Sequence, residues 1–358
     1  MTALHAPAAP PVSTPFRVRT VDHGGIAAVE LRDDAGGARA VFALRGATLL
    51  DWQVEDGGEG LALTDGYRSA AELADQNGVR NGILAPFPNR IAEGRYRFDG
   101  VTHDLLPGVT GERLIYHGFL RELDLAVVET QASDTGASVL FAGEIRADAR
   151  PGYPYALAFE VRASLGARSI GLTITATNVG DRAAPYAAGW HPYFRLGDAP
   201  LDALELTVPA THSVVTDRKL LPLAGEAAFL PVAHSPLTDF RTPRRLGALV
   251  LDGCYAGATA DEDGLIRSTL RDPASGRQLT VWQRSGLVHL FTGDTLARDP
   301  RRALAIEPVE AMTDAFNRPD CADRIRLEPG ASRSFACGAE FSAAGESATP
   351  CSTPFATV

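Results

Sequence analysis

FEVRASLGARSIGLTITATN, residues 159–178, alternates apolar and polar side chains along both of its halves. Phe159, Val161, Ala163 and Leu165 share one parity, with Glu160, Arg162 and Ser164 between them. Ile170, Leu172, Ile174 and Ala176 repeat the pattern against Gly171, Thr173, Thr175 and Thr177. A period of two puts each apolar set on one face of a strand. The link Gly166–Arg168 is short enough to join the two strands as a hairpin.

The same signature recurs on either side. Ala27, Val29 and Leu31 run into the turn-prone Asp33–Gly37 and return through Ala40, Phe42 and Leu44. Tyr96 and Phe98 turn at Asp99-Gly100 into Val101 and His103, and Phe335, Cys337, Ala339 and Phe341 alternate near the C-terminus. One stretch alone, Arg68–Asn77, reads as a helix. A parallel sheet needs long crossover connections, usually helical, and this chain has no such segments between its strands. The expected fold is therefore all-β, one large antiparallel β-sandwich. Its domain is expected to span residues 16–342, between an Ala/Pro/Ser/Thr-rich N-terminal tail at 1–15 and a similar C-terminal tail at 343–358.

Composition narrows the function. Of 358 residues, 45% are hydrophobic and 22% charged, enough for a sizeable core, and the net charge is −10. That balance argues against binding nucleic acid or an anionic membrane by bulk electrostatics. Lys219 is the sole lysine, so the chain has no Gly-Lys-Ser/Thr phosphate loop and a single candidate for Schiff-base chemistry. Cys254, Cys321, Cys337 and Cys351 show no CxxC spacing, and no zinc, calcium or dinucleotide motif is present. Neither a metal nor a cofactor is expected. With no signal-peptide pattern and no long apolar run, the reading is a cytoplasmic protein, monomer or homodimer.

Four segments carry polar residues out of character with their surroundings. In LAPFPNRI, residues 84–91, two prolines stiffen the approach to Asn89 and Arg90, whose guanidinium fork suits hydroxyls or carboxylates. His117 lies inside the apolar IYHGFLR run, and His191 is flanked by aromatics in GWHPYF, a setting able to grip the apolar face of a sugar. The bland alternatives are a surface ion pair for Arg90 and core packing for the two histidines. In ALAIEPVE, Glu307 closes an apolar strand just before a proline, so its carboxylate is expected where the sheet stops pairing, with a raised pKa. Glu310 and Asp314 read as solvated. A histidine and a glutamate in one pocket serve ring opening, isomerisation, lyase chemistry or hydrolysis alike. For glycoside hydrolysis, two carboxyl groups about 5 to 9 Å apart are needed, and Asp252 is the available second one.

In order along the chain, PFPNRIAEGRYRFDG, HGFLR, GWHPYF, LDGCY, LVHLFTGD and AIEPVEAMTDAFN resemble the aldose 1-epimerase (mutarotase) family of galactose-mutarotase-like β-sandwiches, over about residues 17–342. The resemblance implies a cofactor-free isomerase acting on a small-molecule sugar. Glu307 would take the proton of the C1 hydroxyl and His191 would protonate the ring oxygen, while Arg90, His117 and Asp252 hold hydroxyls and Asn89 supports Arg90. His289, also implied to contact sugar, stands where many galactose-type relatives carry glutamine. Two proton-transfer groups, each worth roughly 10² to 10⁴ in rate, suffice without a cofactor. The chemistry asks for an ionised Glu307 beside a protonated His191, the two converging at opposite edges of a pyranose. A non-catalytic sugar-binding protein and a hexose-6-phosphate 1-epimerase remain open, the latter wanting an arginine cluster such as Arg244, Arg245, Arg301 and Arg302.

Overall fold

The computed structural model describes residues 14–346. Leu157–Leu165 pairs with Ser169–Asn178, Leu165 standing opposite Ile170, so the 159–178 hairpin forms as its alternation predicts. Phe159, Val161, Ala163, Ile170, Leu172 and Ile174 are buried, whereas Glu160 between them is exposed. This hairpin sits inside a nine-stranded sheet whose spatial order continues through Ser332–Ser342 and Gln278–Gln283 on one side and Ala137–Ile145 and Ala126–Ala132 on the other. A five-stranded meander formed by residues 16–62 and an eight-stranded sheet are the other large sheets, beside two small two-stranded ones. Within all three sheets the strand pairs are antiparallel.

The sheets stack because each has an apolar face to hide. Phe16–His23 and Ile26–Asp33 of the meander lie against Ala137–Ile145, and Gln278–Gln283 of the nine-stranded sheet lies against Leu304–Val309 of the eight-stranded one. One continuous core, including Trp52, Phe141, Phe159, Leu290 and Ile306, runs through all three. Leu304–Val309 is buried along its whole length, as a strand covered on both faces must be.

Two details differ from expectation. The helix is confined to Ala70–Asp75: Ser69 caps its start by accepting from the Glu72 amide at 3.3 Å, and Gln76 ends it in the left-handed region at φ 56°. A second short helix, Ala322–Ile325, has no periodicity long enough to read in sequence. The tail assignments fall largely on residues 1–13 and 347–358, which lie outside the described residues. Among the described residues no helix is long and apolar enough to cross a membrane.

Two arms outside the sheets carry polar residues toward the same place. Residues 85–90 and 116–118 are held together by bridges between Ala85 and Gly118 and between Arg90 and Tyr116. Asn89 and His117 both adopt left-handed backbone, at φ 54° and 65°, and Gly118 follows at 62°. A Cβ on Gly118 would stand 2.1 Å from the Ala85 carbonyl oxygen. Gly118→Ala is therefore expected to cost on the order of 2 kcal/mol or more. A urea midpoint equal to that of the unmodified chain would show that this bend is not under steric constraint.

Candidate active site

Register assembles the first part of the site. Asp252–Ala256, Leu287–Phe291 and Leu304–Val309 are neighbours in the eight-stranded sheet, and their pairing sets Cys254, His289 and Glu307 in one row. Asp252 lies two residues from Cys254 on the same strand face and reaches across to His289, whose Nε2 is 3.0 Å from Asp252 Oδ1.

Glu307 was expected where pairing stops, and this holds on one side only. Toward Leu287–Phe291 the pairing runs on through Pro308 and Val309. Toward the other neighbour, Val309 pairs with Gly189 and Ala305 with Tyr193, and the chain between them bulges out of the sheet opposite Glu307. His191 occupies that bulge. Its Nε2 lies 3.3 Å from Glu307 Oε1. The two groups are thus in direct contact rather than a ring's width apart.

The arms supply the rest. The Asn89 amide donates to His117 Nδ1 at 3.2 Å, and the His117 amide donates to the Asn89 carbonyl at 2.9 Å. His117 Nδ1 is therefore an acceptor, leaving Nε2 to carry the proton of the neutral ring. Asn89 Oδ1 accepts from the Arg90 amide at 2.9 Å and from Arg90 Nη1 at 3.2 Å, which fixes the guanidinium. The His117 and His191 rings meet edge to face at 5.1 Å. Asn89, His289 and Glu307 line a narrow concavity, too tight for a water-sized sphere, together with Pro88, Cys254 and Met312. A larger cavity of about 360 Å³ between Arg97, Phe316 and Arg326 contains none of these residues.

The sequence profile of aldose 1-epimerases matches residues 28–339. The chain belongs to the aldose 1-epimerase family. It is 27% identical over 251 residues to the Escherichia coli K-12 protein YihR, covering 69% of this chain and 74% of that one, a relative named only as uncharacterized. Among solved structures, the galactose 1-epimerase of Lactobacillus acidophilus superposes with a TM-score of 0.75 at 17% identity, over 93% of this chain and 100% of the other. A GalM/aldose epimerase homologue from Caenorhabditis elegans gives 0.74 at 20% identity, over 87% and 97%. Resemblance at that level establishes the galactose mutarotase-like fold.

In this epimerase-family protein the protons do not rest where the sequence alone suggests. Burial raises Glu307 to about 7, against the pull of the His289 and Arg90 cations, with the Asp252 carboxylate adding to the rise. Burial also holds His191 down at about 3, helped by the His289 charge, so the His191–Glu307 contact is not an ion pair in the free protein. His289 is the imidazolium: burial opposes its charge, but Glu307, the hydrogen bond to Asp252 and Cys254 outweigh burial and hold it well above the ordinary histidine value. Glu307 Oε2 and His191 Nδ1 are buried with no hydrogen-bond partner among the described residues. Such orphaned atoms cost about 1 to 3 kcal/mol each.

Several other assignments change. Trp190, Tyr193 and Phe194 are fully buried, so they are core rather than a sugar platform, though Tyr193 stacks on His191 at 5.0 Å. Glu310 is not solvated: it is 8% exposed and accepts the Ala188 amide at 2.6 Å, anchoring the strand that leads to His191. Asp314 accepts the Ala92 amide at 2.9 Å behind Arg90. The arginines considered for a phosphate are engaged elsewhere, Arg244 with the Asp239 carbonyl, Arg245 with the Asp202 carbonyl, Arg301 with Asp202 and Asp294, and Arg302 with Asp198. None lines the concavity beside Glu307.

A carboxyl whose folded pKa lies above its unfolded value favours the native state most below the unfolded value, and that advantage is lost as pH rises through the folded one. For Glu307 the window runs from its ordinary 4.5 to about 7. Glu307→Gln does not titrate, so at pH 8 it should be more stable than the parent by on the order of 1 kcal/mol, with the difference shrinking at pH 5. Urea midpoints at the two pH values measure this. A gap that is absent at pH 8, or widens at pH 5, contradicts a desolvated carboxyl.

Proposed function

We propose that this protein is an aldose 1-epimerase that interconverts the α and β anomers of a free aldohexose or related sugar, with Glu307 and His191 as its proton-transfer pair. The carrying observation is their 3.3 Å contact, with an oxygen of Glu307 and a nitrogen of His191 left buried and without partners. Groups that close together reach the two oxygens of one anomeric carbon at once. Glu307 takes the proton from the C1 hydroxyl as His191 protonates the ring oxygen, the C1 to ring-oxygen bond breaks, and the aldehyde forms. Rotation about C1–C2 and closure on the other carbonyl face return the opposite anomer, with both protons moving in reverse. The pair takes one proton and gives one, so it needs no cofactor.

The other polar residues bind. Arg90, fixed by Asn89, and His117, fixed as a neutral donor at Nε2, suit ring hydroxyls. Asp252 accepts a hydroxyl proton while holding His289, and the imidazolium at 289 offers a charged donor where an amide would offer a neutral one.

The pair must carry one proton between its two members, on His191 before ring opening and on Glu307 before closure. In the free protein that proton is lost with a midpoint near that of Glu307, about 7. Hence kcat/KM should fall roughly tenfold per pH unit above about 7 and level off below it. Polarimetry or NMR exchange on fresh anomers of a sugar panel, corrected for the buffer rate, gives this profile. Glu307→Gln and His191→Asn should each lower turnover by at least about a hundredfold. Exchange no faster than in buffer across the panel, or variants as active as the parent, would sink the assignment.

A further inference from the structure

His191 rests on a built support that reaches back to a buried ion pair. The face of its imidazole stacks on Tyr193, ring centroids 5.0 Å apart and 20° from parallel. The guanidinium carbon of Arg80 lies over that same Tyr193 ring, 5.4 Å from its centroid. Arg80 is 2% exposed, and its charge is met by Asp65, 4% exposed, through a direct Nη1–Oδ2 contact. Asp65 has further cations in Arg298 at 3.1 Å and Arg68 at 3.3 Å. The Arg80 amide donates to the Tyr67 hydroxyl at 2.9 Å, which fixes the start of the segment. The next two residues grip the His191 loop directly. The Asn81 amide donates to the His191 carbonyl at 3.0 Å, Asn81 Oδ1 accepts from the Tyr193 amide at 2.8 Å, and the His191 amide donates to the Gly82 carbonyl at 3.0 Å.

Burying a guanidinium–carboxylate pair costs desolvation that its attraction seldom repays. Apolar residues of similar volume often serve as well in such positions, and beyond Asp65 the guanidinium here also donates to the Arg298 carbonyl at 2.5 Å. We propose that Arg80 is a positioning residue for His191: held by Asp65 over the Tyr193 ring, it fixes the platform on which the imidazole stacks and sets a permanent cation against that platform. This rests on the acid/base role given to His191 above. The cation opposes a second proton on the imidazole, so the pair's proton is shared with Glu307 instead of being trapped on His191. The charged and titratable groups around His191 are Glu307 at 3.3 Å, the stacked Tyr193 phenol, the His117 ring, His289, Asp252 and Arg80, of which Asp252 favours the imidazolium and His289 and Arg80 oppose it.

The test removes the charge and keeps the fold. Arg80→Met and Arg80→Gln are neutral, and Asp65 keeps Arg298 and Arg68 in both. Arg80→Lys preserves the charge. Nitrogen-15 NMR of the free protein, with the His191 signals assigned through His191→Asn, reads the imidazole without any sugar. In the parent and in Arg80→Lys, His191 should remain neutral at pH 5. In the neutral variants its midpoint should move upward, toward the ordinary histidine value. If mutarotation is present, kcat should fall about tenfold in the neutral variants with KM little changed, and Arg80→Lys should restore it. A folded neutral variant whose His191 titrates as in the parent overturns the proposal. So does loss of fold in both neutral variants while Arg80→Lys is normal, which would make Arg80 structural. Absence of turnover in the parent counts against the epimerase reading alone, because the NMR result stands without it.

Discussion

A carboxylate buried at 1% exposure in the middle of a paired strand is the constraint around which this molecule is arranged. Glu307 cannot be accommodated there by apolar packing, since an isolated charge in that setting would neutralise or disrupt the sheet. The fold answers by interrupting the neighbouring strand. Gly189–Trp190 and Tyr193–Phe194 pair on either side of the gap, and His191 bulges into the space opposite Glu307. On the other side His289 stands across from Glu307 in register and brings a positive charge held by Asp252. Burial and compensation together leave the carboxyl near neutrality, where it can both accept and return a proton.

The rest of the structure keeps that arrangement in place. The stacked sheets provide a rigid wall, and the arms at 85–90 and 116–118 are locked to one another by reciprocal hydrogen bonds between Asn89 and His117. Left-handed backbone at Asn89 and His117 is a local cost carried where polar groups must converge. Behind the site, Glu310, Asn81 and Tyr193 hold the His191 loop from three directions. Preorganisation of this kind matters because a proton-transfer group misplaced by about 1 Å loses a large part of its rate advantage.

The aldose 1-epimerase family shares this sandwich, and the pair at 191 and 307 is compatible with its chemistry. Within this site the fixed positive charge is at 289. An imidazolium clamped by Asp252 stands across from Glu307 in register.

The amino-acid order by itself determined the architecture. Strict alternation in residues 159–178 and its repeats, with no amphipathic helix between strands, leaves only antiparallel pairing, because side-chain parity in a strand is a local property. It also made the polar residues in apolar surroundings visible, so His117, His191 and Glu307 were legible as exceptions before any coordinates. What tertiary structure alone decided was which of those exceptions touch and where the protons sit. His191 and Glu307 are 116 positions apart, and only the gap between two short strands brings them together. Glu310 and Arg80 carry no local signal, since acidic and basic residues read as solvated until their burial is known. The pKa order follows the same rule. Charge on His289 rather than His191 comes from desolvation and from neighbours supplied by other strands, and neither quantity exists along a linear chain.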